Sequence, residues 1–379
     1  MDRFTLRLAV VRGIPIYLHW SFWLLLLWIA VETFLSPYFS LALLAARLIL
    51  LGGLVASVIL HELGHAFAAQ AFGIQTRDIT MYPFGGVASL VRLPEKPFHE
   101  LLVALAGPAV NFLLIGLTYL GLVLLEAPLL LGKGELTRSL SELPSLPMFL
   151  RTFLVMNLVL GLFNLIPAFP MDGGRVLRAL LATRLSYVRA TQIAAYIGQG
   201  FAILFVILGL YGTPSLFLVG FFVFIAAWQE RSQVEQRSSM EGFTVRDVLL
   251  REVPTLSVHY TLGDAIQALL ASQAKAFLVV DPLGLPVGSL SREQIIEALG
   301  EGKPRATPLH EVMDRELISV VPTLPLQEGF RLLQETQKPF LLVVQNGRLL
   351  GIVEVENIAE FLLIARAERS GRQFKGSIG

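Results

Sequence analysis

Long apolar stretches separated by short polar ones fill the first 230 or so residues, after which the pattern changes to the mixed spacing of a water-soluble chain. Six stretches approach the ~20 apolar residues that cross a bilayer as a helix: 14–34, 43–72, 99–127, 148–168, 190–211 and 214–230. Arg3, Arg7 and Arg12 precede the first of them, but no small-residue cleavage pattern follows, so it reads as a retained span and not a signal peptide. The segment ITMYPFGGVASLV (79–91) differs from its neighbours. Its β-branched residues, Tyr82, Phe84 and the Gly85-Gly86 pair predict a short hairpin or edge strand. An open sheet edge cannot face lipid, so this strand must line a cavity or lie at the interface.

Composition sharpens the picture. Of 379 residues, 54% are hydrophobic and only 16% charged, below the ~25% usual for soluble domains; the mean hydropathy is +0.66. The net charge of +1 gives no footprint for a nucleic-acid partner. With no cysteine there are neither disulfides nor thiolate metal sites. Basic residues cluster before the first span (Arg3, Arg7, Arg12), after the second (Arg77, Arg92, Lys96) and after the fourth (Arg175, Arg178, Arg184, Arg189). The loops near 35–42 and 212–214 carry no charge, and 128–147 is mixed. The positive-inside rule then places both termini in the cytoplasm. The expected class is a polytopic α-helical membrane protein of about six spans with a short strand element, residues 1–230.

A polar segment, 231–242, reads as a linker, and beyond it the sequence repeats. Thr261-Leu262 followed by AIQALL matches Pro325-Leu326 followed by GFRLLQ, and Phe277–Asp281 matches Leu341–Gln345. Gly284 and Gly288 match Gly347 and Gly351. Each unit, 243–301 and 308–366, predicts strand, helix, strand, tight turn, strand, helix, with the two units burying each other's apolar sheets. The repeat resembles a tandem pair of CBS domains, an α/β module often used to sense adenine nucleotides.

The candidate chemistry lies inside the second span, in ILHELGHAFA. His61 and His65 are four residues apart, so they share one helix face and both imidazoles can reach one ion. Glu62 projects from an adjacent direction, beside the water that such an ion would polarise; this is the content of H-E-x-x-H with the glutamate as general base. In a soluble helix the same pattern can be a solvated face, but an ionisable cluster inside an apolar span is costly and marks function. His99-Glu100 also begins His-Glu, yet Val103 stands where the second histidine would be required, so both read as interfacial residues. Two histidines leave a catalytic zinc one protein ligand short. Of the six histidines, His259 and His310 lie in the soluble tail and His19 at the entrance of the first span. The best remaining candidate is Asp172 in FNLIPAFPMDGGR, where Pro167 and Pro170 enforce irregular backbone. Irregular backbone at membrane depth is tolerated only around a cavity, although the stretch taken alone reads equally well as a simple turn.

HELGH on one span, followed by N-x-x-P-x-x-P-x-D-G-G, resembles the site-2 proteases, a family of intramembrane zinc metalloproteases; GIPIYLHWSF and AGPAVN (106–111) extend the likeness. The resemblance implies one zinc ion held by His61, His65 and Asp172, with Glu62 as base and Asn164 as the polar stabiliser of the oxyanion. It assigns the Gly85-Gly86 strand to substrate contact, and Asn111 reads as a structural or cavity-lining residue. The implied substrate is a single-span membrane protein, such as an anti-sigma factor remnant or a tethered transcription factor, in the plasma membrane of a prokaryote. For the CBS pair it leaves open an adenine nucleotide or a docking and homodimerisation role. The G-x-x-T-x-x-D pattern that holds a ribose is altered to Ser291 and Gln294 in one repeat and Glu354 and Asn357 in the other. Two other classes remain to be weighed: a CBS-gated membrane transporter and an inactive zinc-binding scaffold. Transport predicts ionisable residues scattered over several spans, whereas here they concentrate in two motifs.

Overall fold

The computed structural model describes residues 5–37, 39–83, 85–90, 96–129, 145–272 and 274–376. The chain divides into two compact units, Met1–Val234 and Glu235–Gly379. Arg92 and residues 130–144, most of the mixed loop, lie outside the described residues, as do Phe84 and Val91 of the expected strand segment.

The first unit opens with strands β1 (Thr5–Val11) and β2 (Ile14–His19), then helix α1 (Phe22–Phe34). The apolar stretch 14–34 is therefore not one helix. In IPIYLH alternate residues are buried, the period-two signature of a strand, and Arg12-Gly13, both at positive φ, turn β1 into β2. The 13 residues of α1 rise only about 20 Å, short of a ~30 Å bilayer core. Strands β3 (Thr76–Tyr82) and β4 (Gly85–Leu90) complete a four-stranded sheet in the order β1-β2-β3-β4, with β2 and β3 parallel and the other pairs antiparallel. The expected strand element thus belongs to a larger sheet, with β4 at its edge.

Four helices among the described residues are long and apolar enough to cross a membrane: α2 (Leu41–Ala71), α3 (Pro97–Leu124), α4 (Leu146–Asn164) and α6 (Tyr187–Tyr211). Their ends follow capping chemistry. The Ser40 hydroxyl accepts the Leu43 N–H at the start of α2, and α3 and α4 begin with proline in the first turn, where no N–H is needed. Between α4 and α6 lies the short helix α5 (Asp172–Ala182). The final stretch forms α7 (Pro214–Met240), apolar in its first half and polar in its second, so most of the segment read as a linker is helical. Ile14, Ile16 and Leu18 of β2, with Ile79 and Met81 of β3, pack on Leu63 and Ala66 of α2. The sheet thereby covers the helix that carries both histidines.

In the second unit, β5 (Thr255–Ser257), β6 (Ala276–Val280) and β7 (Pro286–Ser291) form one sheet, flanked by α8 (Leu262–Ala271) and α9 (Arg292–Gly300). The second repeat matches it with β8 (Ser319–Val320), α10 (Leu326–Thr336), β9 (Leu341–Gln345), β10 (Arg348–Val353) and α11 (Val355–Gly376). Ala276 and Leu278 of one sheet pack against Phe340, Leu342 and Ile352 of the other. The repeats also exchange edges. Leu250, in the leading segment of the first repeat, bonds in both directions to Ile352 of the second, and Asp314, in the leading segment of the second, does the same with Ser289 of the first. The matched glycines explain themselves here. A Cβ on Gly351 would collide with the Leu250 carbonyl, and one on Gly288 would come within 2.8 Å of the Asp314 carbonyl. What repeats in the sequence is the socket for the other repeat's leading segment.

Candidate metal centre

Helix α2 brings His61 and His65 to one face as their spacing requires, and α5 supplies Asp172 from its first position. Nε2 of His61 and Nε2 of His65 are 3.1 Å apart, and each lies 3.1 Å from Oδ2 of Asp172. All three residues are buried. Ligands at ~2.0–2.1 Å around a tetrahedral zinc stand about 3.3–3.4 Å apart, so this triangle has the size of three corners of such a site. The donor set, two imidazoles and a carboxylate, is one that zinc accepts.

The remaining ring nitrogens explain why the Nε2 atoms converge. Nδ1 of His65 donates to the backbone carbonyl of Val103 on α3 at 2.7 Å. A carbonyl can only accept, so in the neutral imidazole the bare nitrogen is Nε2. Nδ1 of His61 lies 2.6 Å from Oδ1 of Asn111, also on α3. Orienting bonds of this kind commonly fix metal-ligating histidines. Gly107 makes the approach possible: a Cβ there would collide with Nε2 of His65 and come within 2.8 Å of Nε2 of His61. Any side chain at 107 would occupy the space between the imidazoles.

Glu62 is half-buried beside His61. Strand β4 reaches it from the sheet: a Cβ on Gly86 would come within 2.8 Å of Glu62 Cγ. Gly85, paired with Tyr82, adopts φ +145°, a conformation side chains resist. Asn164 closes α4 and is half-buried; the asparagine hydrogen-bonded to His61 is Asn111.

Other polar residues surround the centre without having been singled out in the sequence. Asn157 and Ser57 continue the contact from Asn111. Glu100, read from the sequence as interfacial, has a buried partner. It is buried and accepts from Arg178 Nε at 2.7 Å, while Arg178 Nη1 reaches Glu230 at 2.5 Å. The guanidinium also lies between the rings of Phe169 and Tyr187, 5.0 and 4.9 Å from their centroids. A polar residue inside an apolar span was the available signal for Asn157, since such residues mark function or packing at membrane depth. Nothing local marks Arg178, which lies in a stretch rich in arginine.

A centre whose donors suit zinc, set among helices of membrane length, places the molecule among the membrane metallopeptidases. Comparison with known proteins agrees. The model of Peptidase family M50 matches residues 49–207, and that of the CBS domain matches 245–301 and 309–364. A zinc metalloprotease of Methanocaldococcus jannaschii is 31% identical over 362 residues, covering 95% of this chain and 97% of the relative. Stage IV sporulation protein FB of Bacillus subtilis is 24% identical over 302 residues, 77% of this chain and 98% of that protein. Among solved structures, the site-2 protease from Methanocaldococcus jannaschii matches with 37% identity and a TM-score of 0.43, covering 60% of this chain and 95% of that one. The chain belongs to peptidase family M50, the site-2 proteases, and is a metalloprotease with a C-terminal CBS pair.

Proposed function

We propose that the protein hydrolyses a peptide bond within or near the transmembrane segment of a single-span membrane protein, such as an anti-sigma factor remnant or a tethered transcription factor. The observation that carries this reading is the triangle of His61, His65 and Asp172 beside Glu62, roofed by the edge strand β4. One zinc ion held by the three residues would lower the pKa of a water toward ~7 and polarise the scissile carbonyl. Glu62 takes the proton of the attacking water and hands it to the departing amine. Asn164 donates to the oxyanion as it develops.

A scissile bond in a helix is shielded by its own turn, and unwinding exposes backbone groups that cost several kcal/mol each if unpaired. Among the described residues, strand β4 has a strand partner on one side only, β3. A substrate segment adding to its free edge at Gly85 and Gly86 would satisfy those groups. We infer a prokaryotic plasma membrane, with the termini and the CBS pair on the cytoplasmic side; the bias of basic residues toward alternate loops supports that orientation. For the CBS pair we infer a regulatory role, through an adenine nucleotide or through docking and homodimer formation. Ser291 and Gln294 already cap α9 by reciprocal bonds of 2.7 and 3.2 Å, which weights docking.

The test is cleavage of a tethered single-span peptide by purified zinc-loaded protein. Glu62→Gln should abolish cleavage with zinc retained. Equal behaviour of this variant and the wild type would leave a zinc-binding scaffold or a transporter. Gly86→Pro, which removes a strand N–H, should cripple cleavage with zinc still bound; unchanged turnover would refute strand addition.

A further inference from the structure

Four buried polar side chains run in single file across three helices, and their order allows only one assignment of hydrogen-bond direction. Ser57 Oγ on α2 donates to the Gly53 carbonyl at 3.0 Å, leaving its lone pairs to accept from Asn157 Nδ2 on α4 at 3.1 Å. The same Nδ2 donates to the Phe153 carbonyl at 3.0 Å. Asn157 Oδ1 accepts from Asn111 Nδ2 at 3.0 Å, and Asn111 Oδ1 faces Nδ1 of His61 at 2.6 Å. Ser57, Asn157 and Asn111 are at most 1% exposed, so bulk solvent does not compete for these bonds.

The two ends of an asparagine amide are told apart only by their partners. Here the Phe153 carbonyl, which can only accept, holds the NH2 end of Asn157. Its oxygen is therefore turned to Asn111, whose own NH2 end must meet it. The oxygen of Asn111 is then left facing His61, whose Nδ1 must carry the proton. Reversing Asn157 would set its carbonyl against that of Phe153. It would also turn the NH2 of Asn111 toward Nδ1 and move the imidazole proton to Nε2, between His65 and Asp172, where a metal needs a lone pair.

We propose that Asn157, anchored on the Phe153 carbonyl and Ser57, is a positioning residue that sets the tautomer of His61 through Asn111. With His65 held by Val103, both imidazoles then present bare Nε2 atoms to the same point, facing an acceptor oxygen of Asp172. Three lone pairs aimed at one point make a preformed cation site. The inference rests on the zinc reading of this centre.

The test uses the full-length protein, with zinc affinity measured by chelator competition and the His61 ring read from long-range 1H–15N spectra of labelled histidine. The His61 signals are assigned by their absence in His61→Gln. In zinc-loaded wild type, Nδ1 should carry the proton and Nε2 should bind the metal; ligation through Nδ1 would overturn the proposal outright. Asn157→Leu should weaken zinc binding roughly 10–100-fold, the range for partners that orient a ligating histidine, and Nε2–H should appear in its metal-free spectrum. An Asn157→Leu protein that binds zinc weakly yet keeps the Nδ1–H signal of His61 in its metal-free spectrum would reduce the role to packing and sink the proposal. Should Asn157→Leu fail to fold, the wild-type spectrum still decides. A wild type that takes up no zinc would overturn the reading of the site as well, whereas zinc bound but indifferent to Asn157 would overturn this inference alone.

Discussion

The two units of the chain treat polar groups in opposite ways. In the first, two histidines, two asparagines, Asp172, Glu100 and Arg178 are all buried. Among the described residues of the second, the buried polar side chains are hydroxyls alone, Ser289, Ser291 and Thr307. Its ion pairs, such as Arg331 with Glu328 and Glu335, lie at the surface. Lipid outside the first unit offers no driving force for helix association beyond packing and hydrogen bonds, so polar contacts between helices carry the alignment. Water surrounding the CBS pair lets apolar burial do that work. The lesson is that polar residues in the first unit report on the site, whereas in the second they report mainly on the surface.

This contrast can be broken experimentally. The most drastic substitution should be Gly107→Ala, whose methyl enters the space between the two Nε2 atoms. Zinc should be lost in a chelating wash that the wild type withstands, and retention would mean that no ion sits there. Next comes Arg178→Ala, which strands Glu100 and Glu230. Removing one partner of a buried ion pair costs about 3–5 kcal/mol, measurable as a fall in unfolding midpoint in detergent, while a joint change of Arg178 and Glu100 to methionine should recover much of it. No recovery would mean that Arg178 acts through its rings and stem and not through charge.

In the second unit, Leu290→Ala should cost about 2–5 kcal/mol, because it deletes a fully buried side chain between β7 and its neighbours. A smaller loss would put the stability of the CBS pair elsewhere than in its apolar core. The weakest effect should come from Lys338 and Asp314, 2.6 Å apart. Burial alone would raise the Asp314 pKa, but the Lys338 ammonium and the Glu316 N–H outweigh it and hold the carboxyl below its ordinary value. The contribution is therefore present above about pH 4, the unfolded range, and is lost as pH falls through the lower folded value. At this partly exposed site it amounts to about 1 kcal/mol or less. Lys338→Met should lower stability at neutral pH and leave it unchanged in strong acid; equal loss at both would point to packing.

Much of the site was legible because its spacing is short. The four-residue interval of His61 and His65 needs only a helix, whereas the prolines before Asp172 marked an irregular stretch that read equally well as a turn until the family resemblance singled it out. The glutamate after the first histidine followed from the same motif. Strand β2 was misread as part of a span, because IPIYLH is as apolar as a helix and only its alternation separates the two. Glu100 read as interfacial because its partner Arg178 lies 78 residues away in the chain, and no local pattern records the pair.

The sequence by itself determined the change from apolar runs to mixed spacing, the internal repeat and the shared helix face of His61 and His65, since each depends on local composition or on the period of one element. Only the tertiary structure decided which carbonyl orients His65, which asparagine meets His61, why position 107 tolerates no side chain, and that each CBS repeat finishes the other's sheet. Those are contacts between distant elements, set by how closely backbones approach and which way an amide points, and neither quantity is written in the order of residues along one strand or helix.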